Sequence, residues 1–151
     1  MYKQTLKAIM ALLFSGSATI GLAGNDTMLL HSGWKFRQAN RNEWHSATVP
    51  GVVHTDLLDN GLIEDPYYRL NERSLQWIDK EDWIYEVSFD AGTLTRGYEH
   101  VRLEFLGLDT YADVFLNETR ILTADNMFRR WAAEVKPLLK ERGNVLRVYF
   151  H

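Results

Sequence analysis

The chain has 151 residues, 46% of them hydrophobic and 25% charged, and carries a formal net charge of −3. That is the size of one domain able to bury a real core, and its charge gives no electrostatic reason to bind nucleic acid or an anionic membrane. Cysteine is absent, which excludes disulfides and thiolate metal sites, while a 13% aromatic content with five Trp suits β-sandwich cores and sugar-stacking surfaces alike.

The first predicted element is a leader. "MYKQTLKAIMALLFSGSATIGLAG" places Lys3 and Lys7 before an apolar run from Ala8 to Phe14, and small residues follow, with Gly21 and Ala23 set for an A-x-A-like cut. This is the pattern of a secretory signal peptide over residues 1–23, and the run is too short and broken to span a membrane. Its removal takes away two lysines and no acids, so the mature charge is −3 − 2 = −5. The expected product is a single domain over 24–151, secreted or periplasmic and of bacterial type, held by its core alone.

The next stretch is "VPGVVHTDLLDNGLIEDPYYRLNE", residues 49–72. Val49-Pro50-Gly51 reads as the end of an early strand. "VHTDLLDNG" reads as a short helix with Thr55 as its cap, Leu57 and Leu58 packing, and Gly61 closing it. In "DPYYRLNERSLQWI", Pro66 sets a turn. Tyr67, Tyr68 and Trp77 offer flat apolar faces there, and Asp65, Arg69, Asn71 and Glu72 offer hydrogen bonds. Stacking combined with directed polar groups is how a protein holds a sugar; the same aromatics also serve to cover a core.

From Asp82 onward the period is two. In "DWIYEVSFD", Trp83, Tyr85, Val87 and Phe89 share one face, opposite Ile84, Glu86 and Ser88. Val101, Leu103 and Phe105 alternate with Arg102 and Glu104. Ala112, Val114 and Leu116 share a face, as do Leu146, Val148 and Phe150. Turn residues at 91–97, 107–110 and 143–144 separate these runs. "LNETRIL" reads as a hairpin with Asn117 tolerating a positive φ at its tip, where Asn-Gly would suit the turn better than Asn-Glu. "KPLLKERG" reads as a helical turn closed by Gly143. Short strands with frequent turns predict an all-β antiparallel sandwich with one or two short helical turns. The last run stops at His151 without a turn or polar tail, which reads as an incomplete sandwich with an exposed sheet edge.

Candidate chemistry is sparse. Glycoside hydrolysis needs two carboxylates, but Glu64, Asp65, Glu72, Asp79, Glu81, Asp82 and Asp109 form no evident pair. His31, His45, His54, His100 and His151 share no metal-ligand spacing. No phosphate-binding loop or nucleophile elbow is present, and neither a cofactor nor a metal is expected. Asn117-Glu118-Thr119 fits the N-glycosylation pattern.

Taken in order, "LLHSGWKFR", "WHSATVPGVVHTDLLDNGLIEDPYYRLNE", "WIDKEDWIYEVSF", "LEFLGLDTYADVFLNE", "NMFRRWAAEV" and "GNVLRVYF" resemble the N-terminus of β-mannosidases of glycoside hydrolase family 2, over residues 28 to 151. The resemblance implies a jelly-roll, galactose-binding-like domain that continues past His151. An immunoglobulin-like sandwich and a barrel follow in the family, and the barrel carries two catalytic glutamates. No catalytic residue therefore transfers to this chain. What transfers is a scaffold whose candidate substrate-rim or interdomain residues are Tyr67, Tyr68, Arg69, Asn71, Glu72 and Trp77. The implied partners are a β-mannoside and the C-terminal domains of the same protein. A free-standing carbohydrate-binding module and the equivalent domain of another family 2 glycosidase are the alternatives. Glu118 departs from the glycine such domains usually carry, which bears on the turn type.

Overall fold

The computed structural model describes residues 10–15, 27–92 and 94–151, with backbone alone for 10–15 and 94. Ten strands appear among them: β1 (Met10–Ser15), β2 (Thr27–Leu29), β3 (Lys35–Gln38), β4 (His45–Ser46), β5 (Trp83–Phe89), β6 (His100–Phe105), β7 (Ala112–Leu116), β8 (Thr119–Ala124), β9 (Trp131–Glu134) and β10 (Asn144–Phe150). Three short helices join them: α1 (Val53–Asp59), α2 (Asn71–Ser74) and α3 (Leu94–Gly97). Single 3₁₀ turns lie at Ile78–Lys80 and Lys136–Leu138. Every strand pairing is antiparallel. One sheet has the order β2-β1-β6-β9, the other β4-β3-β5-β10-β7-β8.

The period-two runs explain the layering. Val101, Leu103 and Phe105 of β6 are fully buried while His100 and Arg102 face out. Ala112, Val114 and Leu116 of β7 and Leu146, Val148 and Phe150 of β10 are buried on alternate positions in the same way. All of them join Phe36, Tyr85 and Val87 in one hydrophobic cluster shared by both sheets. Each large side chain so buried contributes roughly 1.5–3 kcal/mol, which makes this two-sided cluster the main source of cohesion in a cysteine-free chain.

Strand β5 departs from simple alternation, because Trp83 through Val87 are buried on both faces. It sits between β3 and β10 in the wide sheet, and its outward Glu86 lies directly across from Lys35 and from Arg147. Long cationic side chains from both neighbours cover it.

The hairpin between β7 and β8 forms on a two-residue turn, with φ of 49° at Asn117 and 68° at Glu118. Two consecutive positive φ values are what a right-twisted two-residue hairpin demands. Asn117 secures the turn. Its Nδ2 donates to the Leu138 carbonyl at 2.7 Å and to Asn144 Oδ1 at 3.0 Å, and its Oδ1 accepts from Val145 N–H at 3.0 Å. Glu118 tolerates the same region with its carboxylate 3.3 Å from Arg147.

Several expectations are corrected here. The early strand ends at Ser46, so Val49-Pro50-Gly51 is loop, and the Val49–Pro50 peptide is cis. The cap of α1 is Val52, whereas Thr55 is its third helical residue and its hydroxyl reaches back to the Val52 carbonyl at 2.8 Å. The C-terminus agrees with expectation: Gly61 has φ +67°, Gly61 N–H bonds Leu58 and Leu62 N–H bonds Leu57, closing a Schellman motif. Helical turns are more numerous than the one or two expected; α2, α3 and the turn at Ile78–Lys80 lack the apolar periodicity that would betray them. The leader expected over 1–23 lies outside the described residues except for Met10–Ser15, which are a strand. Among the described residues no helix is long and apolar enough to cross a membrane.

Candidate functional site

The candidate residues lie on the connection from α1 to β5, and that connection is anchored at both ends. At its start, α1 buries Val53 and Leu57 in the common cluster. It also buries Asp56, only 1% exposed, whose Oδ1 accepts from Thr48 N–H at 2.8 Å and whose Oδ2 accepts from Tyr85 O–H at 2.7 Å. Burial pushes the Asp56 carboxyl above its ordinary value, against the pull of these two hydrogen bonds, and Asp59 adds to the rise. Burial likewise raises the Tyr85 hydroxyl well above its ordinary value, with the Asp56 charge adding to it. Neither group faces solvent, so the pair is a structural tie between helix and sheet. At the far end, Leu75 and Ile78 are buried and the Trp83 indole N–H donates to the Ile78 carbonyl at 3.1 Å.

Between these anchors the chain supports itself. Asp65 Oδ1 accepts from Tyr67 N–H at 2.9 Å, and its carbonyl accepts from Tyr68 N–H at 3.1 Å and Asn71 Nδ2 at 3.0 Å. The side chain of Asp65 thus folds the turn that Pro66 begins. The turn presents Tyr67 to solvent at 85% exposure, and its neighbours Tyr68 and Leu70 are exposed as well. The Arg69 guanidinium lies 5.1 Å from the Tyr68 ring centre, and its φ of 55° is left-handed, a backbone state that costs a non-glycine residue on the order of 1 kcal/mol.

The six sequence-predicted residues therefore separate into groups. Tyr67, Tyr68 and Arg69 form one projecting tip, and Asn71 braces it from below. Glu72 caps nothing outside its own segment; its carbonyl accepts from Gln76 Nε2 at 2.8 Å. Trp77 stays 38% exposed, with its ring 6.1 Å from that of buried Trp83. Among the described residues no His, Asp or Glu cluster is arranged to hold a metal ion.

Sequence reasoning missed two polar constellations. The first is the triad across the wide sheet: Lys35 Nζ lies 3.0 Å from Glu86 Oε1, and Arg147 Nη2 and Nε lie 2.8 and 2.9 Å from Oε2. Burial alone would raise the Glu86 carboxyl. Hydrogen bonds and charge from Lys35 and Arg147 outweigh it and hold the group below its ordinary value. The second is Asn144, fully buried, whose Oδ1 accepts from Lys140 N–H at 2.8 Å and whose Nδ2 donates to the Lys140 carbonyl at 2.7 Å. Another exposed aromatic, Phe128 at 90%, also escaped notice. Like Tyr67 it sits on a side-chain-folded turn, with its N–H donating to Asn126 Oδ1 at 2.8 Å. The recurrence of Asp or Asn two residues before an exposed aromatic was the available signal.

The fold has counterparts in known proteins. A β-D-mannosidase from Dictyoglomus thermophilum is 44% identical, with a TM-score of 0.78 over 80% of this chain and 15% of its own. The β-mannosidase of Rattus norvegicus is 35% identical over 85% of this chain and 14% of its own length, and β-mannosidase B of Thermothelomyces thermophilus is 41% identical over 80% and 14%. The chain thus spans about one-seventh of the length of these relatives. A β-D-glucuronidase from Dictyoglomus thermophilum shares the fold alone, at 16% identity and a TM-score of 0.59. The model of the glycosyl hydrolase 2 galactose-binding domain-like family matches residues 34–151, which is most of the sequence, and the chain belongs to that family.

Proposed function

We propose that this chain is the leading, jelly-roll part of an exported bacterial β-mannosidase, carried to the periplasm or beyond by a leader over residues 1–23. The whole enzyme releases terminal β-linked mannose with two glutamates borne by a later domain, and this part supplies scaffold. The observation that carries the reading is the contrast in identity at comparable coverage: 44% to a β-mannosidase and 16% to a β-glucuronidase from the same organism.

Within that enzyme, the tip formed by Tyr67, Tyr68 and Arg69, with Asn71, Glu72 and Trp77 behind it, borders the substrate pocket or packs against a following domain. Its exposed aromatic and aliphatic surface, with an arginine stacked on it, has the composition of a contact surface. The test uses the full-length protein and 4-nitrophenyl β-mannoside. Hydrolysis is expected from the full-length protein and none from residues 1–151 alone. Tyr67→Ala with Tyr68→Ala is expected to raise KM or to lower the melting temperature of the full-length protein. A full-length protein that cleaves β-glucuronides and leaves β-mannosides intact overturns the substrate assignment. A double variant with unchanged kinetics and unchanged melting overturns the role of the tip.

A further inference from the structure

Asn60-Gly61 is the sole Asn-Gly pair in the sequence. Glycine carries no side chain to shield its backbone nitrogen and has the freest backbone of any residue, so this pair is prone to a reaction that other asparagines resist. The glycine nitrogen attacks the asparagine Cγ and closes a five-membered imide. A Cγ–N bond forms, the Cγ–Nδ2 bond breaks, and Nδ2 departs as ammonia with the proton shed by the glycine amide. Water then adds to either imide carbonyl and opens the ring to aspartate or isoaspartate. One water is consumed and one ammonia released, with no change of oxidation state.

The fold holds the pair away from this chemistry. Asn60 ends α1 with φ −88° and ψ 4°. Ring closure needs Cβ and the Gly61 nitrogen eclipsed about the Cα–C bond, but at a ψ near zero that nitrogen eclipses the backbone nitrogen of Asn60 instead. The Gly61 N–H is also engaged, donating to the Leu58 carbonyl at 2.9 Å. The side chain is fastened in turn. Asn60 Nδ2 donates to the Ser46 carbonyl at 2.9 Å and to the Asp56 carbonyl at 2.7 Å, and Oδ1 accepts from Ser46 Oγ at 3.1 Å. Ser46 belongs to β4, the two-residue edge strand of the wide sheet. The amide of Asn60 is therefore a clasp between α1 and that edge.

We propose that Asn60-Gly61 is a latent deamidation site, held unreactive by its clasp to Ser46, whose conversion unfastens α1 from β4 and loosens the root of the connection that carries Tyr67 and Tyr68. The step is one-way because the product cannot remake the clasp. An ionised carboxylate accepts hydrogen bonds and donates none, so both bonds made by Nδ2 are lost and oxygen lone pairs face the carbonyls of Ser46 and Asp56. The new charge also lies beside Asp59 in sequence and on the helix that buries Asp56. Only the bond from Ser46 Oγ survives. Isoaspartate adds a methylene to the main chain between Asn60 and Gly61, which throws the Gly61–Leu58 and Leu62–Leu57 bonds out of register. Opening of the short edge strand β4 is thereby recorded as a permanent covalent change.

The experiment incubates the full-length protein in mildly alkaline buffer and follows the Asn60 peptide by mass spectrometry. Native protein is expected to deamidate on the order of a hundredfold more slowly than the same protein in denaturant. Ser46→Ala removes one bond of the clasp and is expected to speed the native reaction roughly tenfold. Leu146→Ala, which weakens the distant core of β10, is the control and is expected to leave the rate unchanged well below its melting temperature. Asn60→Asp, the product made directly, is expected to melt lower and to admit protease between Gly61 and Leu75. Equal rates in native and denatured protein, equal acceleration by Ser46→Ala and Leu146→Ala, or an Asn60→Asp variant with unchanged melting and proteolysis overturns the proposal.

Discussion

The two sheets differ in how self-sufficient they are. The wide sheet, β4-β3-β5-β10-β7-β8, is drawn wholly from residues 35–150, and its central strand β5 is buried on both faces. The narrow sheet, β2-β1-β6-β9, includes six residues, Met10–Ser15, from the apolar run near the start of the sequence. One layer is therefore drawn from a single later stretch of the chain, and the other borrows a strand from far upstream. Polar detail follows the same division. The Glu86 triad, the Asp56–Tyr85 tie and the Asn117–Asn144 network all lie on the wide sheet or fasten something to it.

Five variants break or sharpen this contrast. The largest effect is expected from Leu146→Ala in β10, a side chain with no exposed surface; the cavity costs about 3 kcal/mol in urea unfolding. Leu103→Ala in β6 is as deeply buried and costs a similar amount in the 151-residue chain, but much less once residues 1–23 are removed. Equal costs in both backgrounds would erase the distinction between the sheets. Next, Tyr85→Phe strips one of the two donors from the buried Asp56 carboxylate and lowers stability near neutral pH by about 2 kcal/mol; a neutral result would show that the tie carries no load.

A smaller effect is expected at Glu86. Its folded pKa is depressed, so its stabilisation is complete above the ordinary glutamate value of about 4.3 and is lost as pH falls through the lower folded value. Glu86→Gln lowers neutral-pH stability by about 1–2 kcal/mol and flattens the acid limb of a melting-temperature profile; an unchanged slope contradicts the triad's role. The smallest change, and the one of opposite sign, is Glu118→Gly. It relieves a left-handed backbone and raises stability by about 0.5–1 kcal/mol, less the small loss of an exposed contact with Arg147. A fall in melting temperature would mean that this ion pair outweighs the strain.

Legibility in the sequence follows the same division of labour. Strands β5, β6, β7 and β10 were readable because each buries a regular apolar face. The Asn117 turn was readable because few residues accept a positive φ. Strand β9 was not, since Trp131–Glu134 has no fully buried residue and is recruited by pairing with β6 rather than by its own pattern. Glu86 read as an outward polar residue, and it is one by orientation. Its burial comes from Lys35 and Arg147 on strands 51 and 61 residues away, a coincidence of register invisible in a local window. Of the candidate loop, the exposed tip at Tyr67 and Tyr68 was legible from Pro66 and its neighbours. The contact of Trp77 with Trp83 was not, because it depends on a ring in another element.

Asp56 gives the aromatic loop an unusual footing. Burial holds its carboxyl above the ordinary value, so the native state gains rather than loses ground as pH drops toward the ordinary aspartate value. Acidification therefore weakens the Glu86 triad on the wide sheet while it favours the buried Asp56 that ties α1 to Tyr85. Whatever rests on Tyr67 and Tyr68 would meet the same posture in sour surroundings as in neutral ones.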